Sequence, residues 1–200
     1  MTPHSISLLT ICGLEELDHH RARAVTHVLS ILDPDWPDPE AFRAYDQHHR
    51  TILRFHDVIE PRPNLVLPRR DHVEAILAFG RELRPPMPDG AAGHLLIHCH
   101  AGISRSTAAM AMLLAQLDPQ ADEDSILGRV VEIRPQAWPN SVMIGFADEA
   151  LGRGGRLSAA VARLYARQLA AQPKLAALMR SLDREREVAL AERSIGAAGP

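Results

Sequence analysis

Hydrophobic residues along the chain fall into two rhythms. Ser5 to Cys12 (SISLLTIC) and Ala24 to Leu32 (AVTHVLSIL) are short, mostly apolar runs with β-branched residues, and they predict strands. Thr51 to Val58 (TILRFHDV) predicts a third strand that runs into Asp57, and His94 to Ile97 a fourth, buried one. Glu15 to Arg23 reads as a short polar helix. Asp71 to Leu83 carries Val73, Ile76, Leu77 and Gly80 on one side of an amphipathic helix. Ser104 to Leu117 is apolar nearly all round, which predicts a buried helix. Glu123 to Ile133 and Ser141 to Leu151 predict two more, split by RPQAWPN. Proline, aspartate and glycine punctuate the rest: DPDWPDPEAF after the second strand, EPRPNLVLPRR after the third, and PPMPDGAAG as a flexible link before the fourth.

Strands alternating with helices argue an α/β fold around a small, largely parallel sheet. GRGGR, residues 152–156, reads as a boundary. It divides the chain into residues 1–152 and an Ala- and Arg-rich extension, 153–200, with helical patterns at Leu157 to Leu169 and Lys174 to Arg193. The extension holds eight basic and four acidic residues from Arg156 onward. Its helices could cap the core, form a dimer or meet an acidic partner.

Composition narrows the function classes. The net charge of −3 offers no basic excess for nucleic acid or an anionic membrane. The start of the chain has no charged n-region before its brief apolar run, so no signal peptide is expected. No stretch approaches the roughly 18 apolar residues of a membrane span. Two cysteines make no disulfide framework, and a working thiolate needs a reducing compartment, so the cytoplasm is the expected location. Eleven histidines raise a metal question, but His19-His20 and His48-His49 are adjacent pairs that point apart, and no Cys/His spacing suits zinc. Neither metal nor organic cofactor is expected. Lys174 is the sole lysine, a bias that a GC-rich bacterial genome would produce.

The chemistry concentrates in His98-Cys99-His100-Ala101-Gly102-Ile103-Ser104-Arg105-Ser106. A strand, a tight loop and a helix start aim backbone N–H groups at one spot, where the helix end adds partial positive charge. Cys99 sits at the mouth of that anion cradle. A cysteine at a helix N-terminus beside a cation ionises well below the free value of about 8.5, and the thiolate is the nucleophile. Arg105 has the planar fork that binds phosphate bidentately. Ser106 can donate to the thiolate when it leaves, His98 can order the loop, and Gly102 permits a turn other residues resist.

His98-Cys99 followed by Arg105-Ser106 resembles the H-C-x5-R-[ST] signature of the cysteine-dependent protein phosphatases. The fuller His-Cys-x-Ala-Gly-x-Ser-Arg-Ser is most similar to their dual-specificity branch. The resemblance covers roughly residues 5–152. It implies a twisted sheet with the phosphate loop at its C-terminal edge, helices on both faces, and hydrolysis of a phosphate monoester through a cysteinyl-phosphate. Cys99 would attack phosphorus, while Arg105 and the N–H groups of His100, Ala101, Gly102, Ile103, Ser104 and Arg105 would hold the equatorial oxygens.

Such a reaction needs a carboxylic acid that protonates the leaving oxygen and then activates water. Trp36-Pro37-Asp38 spells the triplet of larger tyrosine-specific relatives but follows the second strand. Asp57 ends the third, where dual-specificity relatives carry their acid, and is the expected residue, ahead of Glu60 and Asp38. Asn140, in Trp138-Pro139-Asn140, resembles an element that braces the phosphate loop, and it also suits a helix N-cap. His100 can stabilise anions or point outward. Cys12 reads as a small apolar strand residue that could trap an oxidised Cys99. Arg62, Arg69 and Arg70 are surface residues near the acid loop that could meet an acidic substrate. The substrate, a phosphorylated protein or a small phosphoester such as a nucleotide or phosphoinositide, stays open, as does the oligomeric state. The rival classes are a rhodanese-like sulfurtransferase and a non-catalytic phosphopeptide-binding module.

Overall fold

A computed structural model describes residues 6–83 and 93–197. Among these residues four strands form one parallel sheet in the order β1-β4-β2-β3: β1 (Ile6–Cys12), β2 (His27–Leu32), β3 (His49–Arg54) and β4 (Gly93–His98). β4 is buried at all six positions, which is why its apolar run does not alternate. Because every strand points the same way, the loops after Cys12, Leu32, Arg54 and His98 gather at one edge. The chain passes from β1 to β2 and returns later to insert β4 between them. Such a switch in strand order opens a crevice at the carboxyl ends, where α/β proteins bind ligands.

Among the described residues, seven α-helices accompany the sheet: α1 (Arg70–Glu82), α2 (Arg105–Leu117), α3 (Glu123–Ile133), α4 (Ser141–Ala150), α5 (Arg156–Ala171), α6 (Leu175–Ser181) and α7 (Glu185–Ala197). α2 is buried from Arg105 to Ala115, as its all-round apolar pattern predicts. On α1, the predicted face of Val73, Ile76, Leu77 and Gly80 is buried.

The observed elements depart from the sequence pattern in three places. The polar stretch after β1 folds as a 3-10 helix, Leu14–His20, with Leu17 its buried residue. β3 stops at Arg54, so Asp57 lies in the loop beyond rather than at the strand's end. The terminal helix expected over 174–193 is two helices, broken where Asp183 takes a left-handed φ of 60°. The proline-rich link falls mainly on residues 84–92, outside the described residues.

The extension packs on the body. Leu157, Ala160, Val161, Leu164 and Tyr165 of α5 and Val188 and Ala191 of α7 join the cluster that contains α2 and the sheet. Burying side chains of the Val/Leu size stabilises a fold by about 1.5–3 kcal/mol each. In GRGGR the Arg153 side chain is buried and donates to the carbonyls of Ala115 (2.6 Å), Asp118 (2.9 Å) and Ala121 (2.8 Å). It thereby satisfies carbonyls at and just beyond the end of α2 that the helix leaves without partners.

Candidate active site

The loop from Cys99 to Arg105 joins β4 to α2 and is braced from behind through its carbonyls. Leu14 N–H donates to His100 O (2.9 Å), Arg134 Nη2 to Ala101 O (2.9 Å), and Trp138 N–H to Ile103 O (2.9 Å). The carbonyl of Ser104 takes Ala108 N–H (3.0 Å), Asn140 N–H (3.3 Å) and Thr107 Oγ1 (2.9 Å). Among the described residues, no amide N–H from His100 to Arg105 is committed to an acceptor. Uncommitted amides at a helix N-terminus, with the loop carbonyls satisfied elsewhere, suit an anion. Gly102 is required in this loop. Its φ is +70°, and a Cβ would lie 2.5 Å from the carbonyl carbon of Cys12.

Cys99 Sγ lies 3.2 Å from Ser106 Oγ. His98 is fully buried, with Nε2 2.7 Å from Ser30 Oγ, and Arg50 Nε donates to the same hydroxyl (2.8 Å). Burial, seconded by the Arg50 cation, pushes the His98 imidazole down to about 3, so it stays neutral. Arg105 is buried; its Nη1 donates to Asp33 Oδ1 (2.6 Å) and Phe55 O (2.6 Å). Its Nε is buried without a partner. A cationic donor left unpaired inside a protein is costly. On the residue that ends the loop of uncommitted amides, it suits an anion.

The fold has counterparts among solved structures. Human DUSP28 superposes with a TM-score of 0.52 at 18% identity, over 76% of this chain and 96% of that one. The Cydia pomonella PTP-2 phosphatase does so with a TM-score of 0.51 at 20% identity, over 72% and 86%. The chain has the fold of the dual-specificity phosphatases. The sequence matches no protein-family model and no curated protein.

Within this phosphatase fold, the acid candidates separate. Asp57 Oδ1 accepts from Ser104 Oγ (2.8 Å), Asn140 Nδ2 (2.9 Å) and Arg184, whose Nη2 is 2.5 Å away. Burial alone would raise the Asp57 carboxyl, but Arg184 and then Arg105, with the two hydrogen bonds, hold it below the usual carboxylate range. Asp38 is turned to Arg54 at the surface (2.8 Å), and Glu60 is exposed. Asn140 Oδ1 caps α4 through Val142 and Met143 N–H, and its side-chain amide donates to Asp57.

His100 packs its ring 4.4 Å from that of Trp36 and accepts from Asp33 N–H (3.3 Å). Burial, then the Arg105 cation, lowers its pKa, with Asp33 opposing. Cys12 is buried behind the loop, and burial pushes its thiol up to about 12. Arg62 pairs with Asp183, Arg69 with Asp71 and Arg70 with Glu149. Among the described residues no group of three or more His, Cys, Asp or Glu could hold a metal, and no helix is long and apolar enough to cross a membrane.

Four groups at the site escape sequence reasoning. Asp33 opens a proline- and aspartate-rich loop, Arg134 opens the RPQAWPN link between two helices, and Arg184 and Glu187 fall in a helical pattern of the extension. Arg134 ties the Ala101 carbonyl to Glu16 (2.7 Å), whose other oxygen accepts from Gly13 N–H (2.6 Å). No local motif marks these residues, because their partners are distant in sequence.

Proposed function

We propose that the chain is a phosphate-monoester hydrolase acting through a cysteinyl-phosphate, most suited to phosphorylated protein and secondarily to a small phosphoester. The unpaired, buried Nε of Arg105 beside the free amides of residues 100–105 carries this reading. The Cys99 thiolate attacks phosphorus; the S–P bond forms as the P–O bond to the leaving group breaks, and Asp57 gives that oxygen its proton. Arg105 and the loop amides stabilise the charge on the three equatorial oxygens, a term that often dominates catalysis. Water then attacks phosphorus, passing its proton to Asp57, and the S–P bond breaks. Ser106 Oγ, 3.2 Å from Sγ, donates to the departing thiolate.

The reaction needs Cys99 reduced, which suits a reducing compartment such as the cytoplasm. The net charge of −3 favours neither nucleic acid nor an anionic membrane as partner. Hydrolysis of p-nitrophenyl phosphate at mildly acidic pH, without metal and with a chelator, tests the reading. Turnover should be lost in Cys99→Ser, while orthophosphate binding persists. Well-folded wild type that is inactive on the ester but releases sulfite from thiosulfate would mark a sulfurtransferase instead.

A further inference from the structure

The loop that carries Asp57 is gripped by the C-terminal segment. Its base is closed reciprocally: His56 N–H donates to Val66 O (2.8 Å) and Val66 N–H to His56 Nδ1 (2.9 Å). Between these points three residues at the junction of α6 and α7, Asp183, Arg184 and Arg186, touch the loop. Asp183 pairs with Arg62 (2.6 Å), and Arg186 Nη2 donates to Ile59 O (2.9 Å). Arg184 Nη2 donates to Asp57 O (2.9 Å), lies 2.5 Å from its Oδ1, and reaches Ser104 Oγ (3.2 Å). One guanidinium therefore joins the acid loop to the phosphate loop.

Arg184 is itself fixed. It is 6% exposed, and its Nη1 lies 3.3 Å from the carboxylate of Glu187, which is fully buried. Glu187 also accepts from Trp138 Nε1 (2.6 Å) and Ser141 N–H (2.8 Å), at the start of α4. The left-handed turn at Asp183 ends α6 and starts α7 at the angle that aims Arg184 inward. This explains why the terminal helix is broken.

We propose that Arg184 is a positioning residue: through it the C-terminal segment holds the Asp57 carboxylate against the phosphate loop. The inference rests on the hydrolase reading above for its catalytic consequence. The charged and titratable groups around Asp57 are Arg184 between α6 and α7, Arg105 at the start of α2, His100 in the phosphate loop, and Tyr165 on α5, with Glu187 behind Arg184. Removing Arg184 loosens the loop and also lets burial raise the proton affinity of Asp57. The general acid then stays protonated to higher pH but is less well aimed.

The test uses the full chain as wild type, Arg184→Gln and Arg184→Lys, with Arg62→Ala as an exposed variant on the same grip. Two readouts need no activity: backbone hydrogen exchange at residues 57–62 and carbon-13 titration of the Asp57 carboxyl. Arg184→Gln should exchange at least about tenfold faster there and titrate higher, while β4 and α2 stay protected. Arg184→Lys should restore most of the titration, and Arg62→Ala should speed exchange alone. In kinetics, Arg184→Gln should shift the basic limb of kcat upward and slow phenyl phosphate about tenfold more than p-nitrophenyl phosphate.

Unchanged exchange and titration in Arg184→Gln, or in Arg184→Met if the glutamine variant does not fold, overturn the proposal whatever the activity. Changed exchange with wild-type kinetics on both esters reduces Arg184 to a structural group and also overturns it. Absence of Cys99-dependent turnover in the wild type is a failure of the hydrolase reading, and the positioning role falls with it.

Discussion

Asp33 Oδ1 and Arg105 Nη1 are 2.6 Å apart, so a partly exposed carboxylate from the loop after β2 holds the guanidinium of the phosphate loop. The Phe55 carbonyl completes the clamp at 2.6 Å. The clamp uses one nitrogen and leaves Nε unpaired. Asp33 orients the arginine, yet its negative charge faces the place where a phosphate would bind.

Two substitutions separate these effects. Asp33→Asn keeps an acceptor for Nη1 and removes the charge, so KM for a phosphoester should fall several-fold with kcat little changed. Asp33→Ala loses the clamp as well, and kcat should fall about tenfold or more, since misplacing a positioned group by about 1 Å can cost about 10²-fold. Steady-state kinetics of the pair decide it; identical behaviour of the two variants would refute a role in orientation.

General acid catalysis is typically worth about 10²–10⁴-fold. Asp57→Ala should slow an ester with a poor leaving group by that factor and p-nitrophenyl phosphate much less. Near-normal rates on the poor leaving group would instead make Asp57 a bracket for Ser104 and Asn140.

Stability should fall with acid from the mid range downward. His98 is held at about 3 in the fold, below its unfolded value of about 6.5, so between these limits the unfolded chain binds the extra proton. Its contribution is fully present above about 6.5 and is lost as pH falls toward about 3, on the order of a few kcal/mol in all. Asp57, held below its ordinary value, adds a loss at still lower pH. Urea midpoints measured from pH 7 to pH 4 should decline in the wild type and decline less in His98→Gln; equal slopes would contradict the burial argument.

Glu187→Ala should destabilise the protein by about 3–5 kcal/mol, the usual result of leaving one member of a buried ion pair alone. Arg184, Trp138 Nε1 and Ser141 N–H would all lose an acceptor. Denaturant unfolding measures this, and a loss below about 1 kcal/mol would show that water replaces the carboxylate.

Gly102→Ala should abolish orthophosphate binding, because a Cβ would meet the Cys12 carbonyl carbon at 2.5 Å and the positive φ resists a side chain. Calorimetric titration with orthophosphate checks it. Wild-type affinity would mean that the loop can reshape.

The sequence by itself determined the parallel α/β order, the strand–loop–helix around Cys99, and Asn140 as a cap. Each is written locally, in hydrophobic period, glycine placement or motif spacing, and local rules survive folding. Tertiary structure alone decided that β4 inserts between β1 and β2, that Asp33 clamps Arg105, and that Arg184 crosses 127 residues of sequence to Asp57. Whether the extension caps the core stays open in the sequence, because its glycines and arginines carry no sign of their partners. Buried ion pairs form between groups that packing brings together, and the periodicity of either segment holds no record of the other.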